Sequence, residues 1–460
     1  MDYAKLIQSQ RDHFQSGATR SAEWRKSMLG RLRAALSRSE DVILDALHAD
    51  LRKSRHEACL SETGLVISEI DHALKHLKSW MRPQKHAVPF IAWPGKAHVN
   101  PEPRGVALIL SPWNYPVQLL LSPLVSALAA GNCAVLKPSE LAPHTASVLV
   151  QLIGSIFSDH EVAICPGGKE VAEGLLEQRF DHIFYTGSSS VGRLVMSAAA
   201  RHLTPVTLEL GGKCPCIVTE GAALEVAARR IAWGRFTNAG QTCVAPDYVL
   251  VDKKVKSQLL EKLGNAVSTM YGANPKASAD YGRIINRRHW ERLFALLGSG
   301  RVVCGGDADV DDLYIAPTVL DEVAIDSPLM QEEIFGPILP VLAYDTPEEA
   351  VAFVQQRPSP LAIYVFSNDK RLQATIAAQT QSGGVCINDT VVQVACGNLP
   401  FGGVGSSGMG ASHGKAGFDE FSHRRSILWR SVQVDPSMRY PPARGSLLLL
   451  KRIRRFLLGV

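Results

Sequence analysis

Four short runs of residues carry side chains suited to chemistry. In N-A-G-Q-T-C (238–243) a single cysteine ends a small, polar stretch whose backbone can approach a ligand closely. A thiolate is the strongest side-chain nucleophile near neutral pH, although a cysteine taken alone is more often a small buried hydrophobe. A free thiol is mostly protonated at neutral pH, so a nucleophilic Cys243 is expected to sit where its surroundings favour the thiolate. In L-E-L-G-G (208–212) Glu209 stands between two leucines. It is either a surface residue at a strand end or a desolvated carboxyl with a raised pKa, suited to general-base work. In S-P-W-N-Y-P (111–116) two prolines fence a turn, where Asn114 either stabilises the turn or offers its amide to a developing oxyanion. In F-D-H-I-F-Y-T-G-S-S-S-V-G (180–192) an apolar strand runs through Gly187 and a serine cluster into a helical run. Strand, glycine turn and helix N-terminus suit a phosphate. The run is not the G-x-G-x-x-G fingerprint, and a purely structural turn has the same outline.

These runs need a scaffold, and the chain alternates in a way that supplies one. Residues 1–80 read as helices, with apolar positions at helical spacing. Residues 84–103 turn proline-rich and extended, an excursion from the first domain. The run 105–110 (G-V-A-L-I-L) reads as a buried strand, 117–130 as a helix and 132–137 (N-C-A-V-L-K) as a second buried strand. This β-α-β alternation continues through residue 210 and predicts a parallel, doubly wound sheet. It resumes after Gly212 to about residue 395, which predicts a second α/β domain. The run 401–414, F-G-G-V-G-S-S-G-M-G-A-S-H-G, is a loop by composition.

The length of 460 residues calls for two or three domains. At 46% hydrophobic and 20% charged, the composition is that of a soluble globular protein and argues against disorder. A net charge of +5 is small for this length and gives no reason to expect nucleic-acid binding. The nine cysteines are odd in number and widely spaced, without a C-x-x-C pair, which fits a reducing, cytoplasmic setting. Cys214 and Cys216 would share one face of a strand and read as packing, because two sulfurs do not complete a tetrahedral metal site. No metal site is expected. No signal peptide opens the chain, and no run reaches the ~20 apolar residues that span a bilayer. On a helix over 447–460, Leu449, Leu450, Ile453, Phe456, Leu457 and Val460 share one face, and Lys451, Arg452, Arg454 and Arg455 the other. That is the pattern of an interfacial, membrane-peripheral helix; a helix docked on the body or on a partner subunit is the alternative.

Taken together the motifs resemble the aldehyde dehydrogenase superfamily over almost the whole length. The resemblance rests on P-W-N-Y-P (112–116), K-P-S-E (137–140), F-Y-T-G-S-S-S-V-G (184–192), L-E-L-G-G-K (208–213), G-Q-T-C (240–243), Q-E-E-I-F-G-P (331–337) and L-P-F-G-G-V-G-S-S-G-M-G (399–410). The short N-terminus and the stretches at 202–213, 243–250, 281–286 and 421–426 are similar to the class 3 branch, which acts on medium-chain, long-chain and aromatic aldehydes. The resemblance implies an α/β fold of two doubly wound parallel-sheet domains plus a small bridging β element. It implies a cofactor domain from 1–83 and 104–208, a catalytic domain at 209–397, a bridging element from 84–103 and 398–430, and a tail at 431–460. It implies Cys243 as nucleophile, Glu209 as general base, and Asn114 with the Cys243 backbone amide as oxyanion hole. Lys137 and Glu140 would meet the adenosine ribose of the cofactor. Thr186, Gly187, Ser188, Val191 and Gly192 would lie along the pyrophosphate turn, with Leu210 and Gly211 nearby. Glu333 would hold the nicotinamide ribose and Phe335 would pack near the ring. Glu140 favours NAD over a 2′-phosphorylated cofactor, although class 3 relatives often accept both. Ser412 stands where those relatives often carry an aromatic residue, beside His413, and is expected to reshape the substrate funnel. An exposed pair of bridging strands would need covering, which predicts a homodimer.

Two other readings compete. The same fold can acylate coenzyme A, where a thiol replaces water and no general base is needed. A silent structural protein of this fold would be expected to lack at least one of Asn114, Glu209 and Cys243, and all three are present.

Overall fold

The computed structural model describes residues 2–436, 439–442 and 446–458. The N-terminal part is helical as the spacing predicts, with helices Tyr3–Gln15, Ala22–Arg38, Glu40–Leu51, Arg55–Ala58 and Gly64–Trp80. A π-helical turn, Cys59–Thr63, precedes the last of these.

A six-stranded sheet runs in the order Gly408–Met409, Val206–Glu209, His182–Thr186, Val106–Leu110, Cys133–Lys137 and Val162–Ile164. Its five long-range crossover strands are parallel. Strands Val106–Leu110, Cys133–Lys137 and His182–Thr186 are buried at every position, because helices cover both faces and leave no room for alternation. Helix Gln118–Ala130 is buried all round, which explains its almost uninterrupted apolar sequence. The strand order reverses between Val106–Leu110 and His182–Thr186. The carboxyl ends of strands at such a reversal open onto a crevice where open α/β sheets bind ligands, and Asn114 and Gly187 follow those two ends directly.

The second sheet has seven strands, Arg301–Cys304, Thr318–Asp321, Ile338–Tyr344, Tyr248–Asp252, Pro215–Val218, Ala362–Phe366 and Gly384–Ile387. Only the Arg301–Cys304 edge is antiparallel. Gln84–His86, Gly95–Pro103 and Ser422–Arg430 form a separate antiparallel sheet, so the expected two parallel sheets and small β element are all present.

The glycine-rich run at 401–414 differs from the loop expected. Gly408–Met409 adds an edge strand to the first sheet, pairing with Glu209 and Leu208. Gly408 has φ 145°, and a Cβ there would lie 2.2 Å from the Leu208 carbonyl oxygen. The pairing depends on backbone approach without a side chain, which leaves no hydrophobic period to read. Within 398–430, helix Gly414–Glu420 packs on the first core through Phe418, and only Ser422–Arg430 joins the three-stranded sheet.

Cys214 and Cys216 are fully buried core residues. Among the described residues no three His, Cys, Asp or Glu side chains gather as a metal site, and no helix is long and apolar enough to cross a membrane. Helix Leu447–Leu458 lies beside the turn Phe90–Ala92, with the Phe456 ring 4.9 Å from Phe90. Ile453 and Leu457 are half-buried, whereas Leu447, Leu448 and Phe456 are exposed; Val460 lies outside the described residues.

Candidate active site

The loop that carries Cys243 is held by its own backbone. Helix Leu224–Phe236 ends in a tight turn, Thr237–Gly240, in which Asn238, Ala239 and Gly240 all have positive φ (52°, 51° and 75°). A Cβ on Gly240 would lie 2.2 Å from the Gly336 carbonyl oxygen, so only glycine lets this turn seat against the 333–336 segment. The buried Gln241 amide donates to the carbonyls of Asn238 (3.0 Å) and Arg283 (2.9 Å), and its oxygen accepts from the Ile285 amide (3.0 Å). The Cys214 thiol donates to the Cys243 carbonyl at 3.5 Å. This packing residue therefore sits directly behind the candidate nucleophile. Cys243 itself is half-buried. Contrary to the expectation of a thiolate-favouring setting, its pKa is raised, first by burial and then by the Glu333 and Glu209 carboxylates. Burial and both carboxylates thus disfavour the thiolate, against two backbone hydrogen bonds that favour it.

Asn114 follows strand Val106–Leu110 and is 2% exposed. Its side-chain amide donates to the Gln241 carbonyl at 2.9 Å, which uses one of two amide hydrogens. Its backbone carbonyl accepts from Asn238 Nδ2 at 2.8 Å and from Lys53 Nζ at 3.1 Å. Glu209 ends strand Val206–Glu209 and is buried. Burial pushes its carboxyl up to about 7, opposed by hydrogen bonds from Ser412 and Thr186. The Ser412 hydroxyl donates to Oε1, and Thr186 Oγ1 donates to Oε2 at 3.4 Å. Ser412 was expected to shape the funnel. It is buried against Glu209 and makes a bridge with Phe401.

The residues expected at the cofactor fall into three groups. Lys137 and Glu140, at the end of the strand Cys133–Lys137, pair at 2.7 Å. Burial raises the Glu140 carboxyl most, but the Lys137 hydrogen bond, a backbone hydrogen bond and the Lys137 charge together outweigh it and the net shift is downward. Gly187, Ser188, Val191 and Gly192 form the turn into helix Ser189–Ala200, where Ser188 Oγ accepts from the Val191 amide at 3.4 Å as N-cap. A Cβ on Gly187 would lie 2.2 Å from the Tyr185 hydroxyl, and one on Gly192 2.9 Å from Leu210. Here the glycines let strand, helix and Leu210 close together at the start of the helix. Finally, a Cβ on Gly211 would lie 2.0 Å from Glu333 Oε2. Burial, then the Asp247 charge, pushes Glu333 up to about 8. Phe335, at φ 50°, sets its ring edge-on to Trp113 at 5.5 Å.

A buried hub that motif reading missed holds this last group. Asp247 accepts from Lys213 (2.5 Å), Arg235 (3.2 Å) and the Ile334 amide (3.0 Å). Lys213 also donates to the carbonyls of Leu329 and Glu332, both at 2.8 Å. Lys213 and Asp247 lay within recognised motifs, yet nothing in their spacing showed that they meet.

Cys243 opens onto a funnel of about 910 Å³, lined by Leu60, Leu65, Tyr115, Leu119, Trp233, Val391, Val392, Phe401 and His413. Its walls are almost wholly apolar. His413 stacks on Phe401 at 5.1 Å, and burial lowers its pKa to about 4, which keeps the ring neutral.

Residues 1–427 match the model of the aldehyde dehydrogenase family. The chain is 47% identical over 442 residues to aldehyde dehydrogenase family 3 member B1 of Bos taurus, covering 96% of this chain and 94% of that one. It is 46% identical over 442 residues to a Mus musculus protein named aldehyde dehydrogenase, dimeric NADP-preferring, covering 96% and 98%. Among solved structures, the substrate-bound state of a Staphylococcus aureus AldH superposes with a TM-score of 0.95 at 43% identity, covering 98% of this chain and 99% of the other. With the two parallel sheets, the glycine turn and the cysteine funnel, these matches lead to one conclusion: the chain belongs to the aldehyde dehydrogenase family and is an NAD(P)-dependent enzyme of it.

Proposed function

We propose that this enzyme oxidises medium-chain, long-chain or aromatic aldehydes to carboxylic acids through a covalent thioester on Cys243. The observation that carries this reading is the apolar funnel, which ends on Cys243 where the Glu209 and Glu333 charges both bear on its thiol.

Cys243 Sγ adds to the aldehyde carbon and its proton leaves to a base. Glu209, lifted to about 7, is close to half ionised at neutrality and suits that task. The second amide hydrogen of Asn114 and the Cys243 backbone N–H meet the oxyanion, and one such donor is worth roughly 3–4 kcal/mol in a site without water. NAD(P), when bound, accepts the hydride from the aldehyde carbon. Lys137 and Glu140 hold the adenosine ribose, and Thr186, Gly187, Ser188, Val191 and Gly192 the pyrophosphate. Leu210, Gly211, Glu333 and Phe335 align the nicotinamide end. Glu209 releases the thiol's proton to solvent and, ionised again, takes a proton from water as it attacks the thioester; the acid departs and Cys243 regains a proton from Glu209. The water-activating base distinguishes this reading from acyl transfer to coenzyme A.

The same reading assigns 1–83 and 104–208 to the cofactor domain, 209–397 to the catalytic domain, 84–103 and 398–430 to the bridge, and 431–460 to a tail. The exposed edges of the three-stranded sheet favour pairing with a second copy, in keeping with the dimeric mouse relative. Glu140 favours NAD, and the relative named NADP-preferring supports acceptance of the phosphorylated cofactor as well. We place the enzyme in the cytoplasm, with peripheral membrane contact through 447–460.

NAD(P) reduction by wild type and Cys243→Ala over short, medium, long and aromatic aldehydes tests the proposal. Activity that rises with apolar length and vanishes in the variant is expected. Turnover by the variant, or NAD(P) reduction only when coenzyme A is supplied with acyl-coenzyme A as the product, would overturn it.

A further inference from the structure

A buried ion pair lies under the Asn114 turn, and no step above uses it. Lys53 and Glu62 are completely buried and meet at 2.6 Å. Lys53 follows helix Glu40–Leu51, after Arg52 turns the chain at φ 51°. Glu62 projects from the π-helical turn Cys59–Thr63, a local distortion frequently found at functional sites.

Both charges act on one stretch of backbone. Lys53 Nζ donates to the Asn114 carbonyl at 3.1 Å and lies 4.0 Å over the Tyr115 ring. Glu62 Oε2 accepts the amides of Val117 (3.0 Å) and Gln118 (2.9 Å), free donors at the start of helix Gln118–Ala130. Asn238 Nδ2, from the turn before Cys243, donates to the same Asn114 carbonyl at 2.8 Å. The segment 114–118 is thus gripped by a cation at one end and an anion at the other. The cation side is shared with the nucleophile's own loop. An apolar pair of similar volume would serve stability as well, because burying two charges costs about what their attraction returns.

We propose that Lys53 is a positioning residue for the oxyanion site. By fixing the Asn114 carbonyl, it fixes the peptide from which the Asn114 side chain springs. That leaves one amide hydrogen on the Gln241 carbonyl and the other for the substrate oxygen. Glu62 holds the Lys53 ammonium in place at 2.6 Å. This rests on the reading of Asn114 as the oxyanion donor.

A kinetic double-mutant cycle on the full chain tests it. The double variant Lys53→Met/Glu62→Gln removes both charges of the pair and withdraws the Lys53 cation from the neighbouring buried Glu57 carboxyl; circular dichroism checks its fold. Its kcat is expected to fall at least about tenfold, part of the ~10²–10³ lost with an oxyanion donor. The KM for NAD should change less than about twofold. In an Asn114→Ala background the same pair of changes is expected to alter kcat less than about twofold. Lys53→Gln, which keeps an uncharged donor, is the milder second variant. It should lose less, and again only when Asn114 is present. Equal fold-losses with and without Asn114, or wild-type kcat in the charge-free variant, would make the pair merely structural and overturn the inference. A wild-type kcat in Asn114→Ala alone would instead remove the oxyanion reading beneath it.

Discussion

Glu209 shows how a single residue is tuned by opposing terms. Burial favours its neutral form and lifts it to about 7, while hydrogen bonds from Ser412 and Thr186 favour the ionised form and pull it down. Removing the Ser412 hydroxyl therefore raises the pKa further. Water activation needs the ionised carboxylate, so activity rises with pH through this pKa. Ser412→Ala is expected to move the acidic limb of the pH–rate profile upward by up to about one unit, with about three- to tenfold less activity at pH 6.5. Near pH 9 its rate should approach wild type. An unmoved limb would mean that another group, such as the Cys243 thiol with its own raised pKa, sets the profile.

At the level of elements, the turn Thr237–Gly240 decides where the nucleophile stands. Gly240 combines φ 75° with a backbone oxygen where a Cβ would go, and backbone cannot swing aside as a side chain can. Gly240→Ala is expected to cost about 2–4 kcal/mol in denaturant unfolding and to abolish most activity. Gly30 makes the contrast. It sits inside helix Ala22–Arg38 with nothing within 4 Å of a built Cβ. Gly30→Ala should stabilise by about 0.5–1 kcal/mol without touching kinetics. Equal effects of the two changes would show that the turn is not strained in the way its geometry requires.

For the molecule as a whole, the three-stranded sheet and the last helix carry the exposed apolar surface. Leu428 and Trp429 on the sheet are more than half exposed, as are Leu447, Leu448 and Phe456 on the helix. Lys451, Arg452, Arg454 and Arg455 lie beside the latter. The full chain is expected to scatter light as a dimer and to float with anionic vesicles. A 1–446 truncation should stay dimeric and active but lose flotation, since apolar area and basic charge bind such surfaces together. Loss of the dimer on truncation would assign the helix to subunit contact instead.

Much of this was legible in the residue order because it is local. Alternating apolar runs specify buried parallel strands and their covering helices, and the cysteine, glutamate, asparagine and glycine motifs each sit at an element's end where a short window contains them. What the chain order could not reveal is which distant side chains meet. Ser412 makes a bridge with Phe401 and donates its hydroxyl to Glu209, a residue far off in the chain. Cys243 was expected among groups favouring a thiolate, yet two carboxylates and burial act the other way. Lys53, Asp247 and Gly408 carry no periodic or motif signal for their roles. Their partners lie far off in sequence and are selected by packing. Local preference therefore determined the elements and the candidate chemistry. Only tertiary contact decided the partners and the protonation of the groups, because burial and neighbouring charge exist only once the chain has closed on itself.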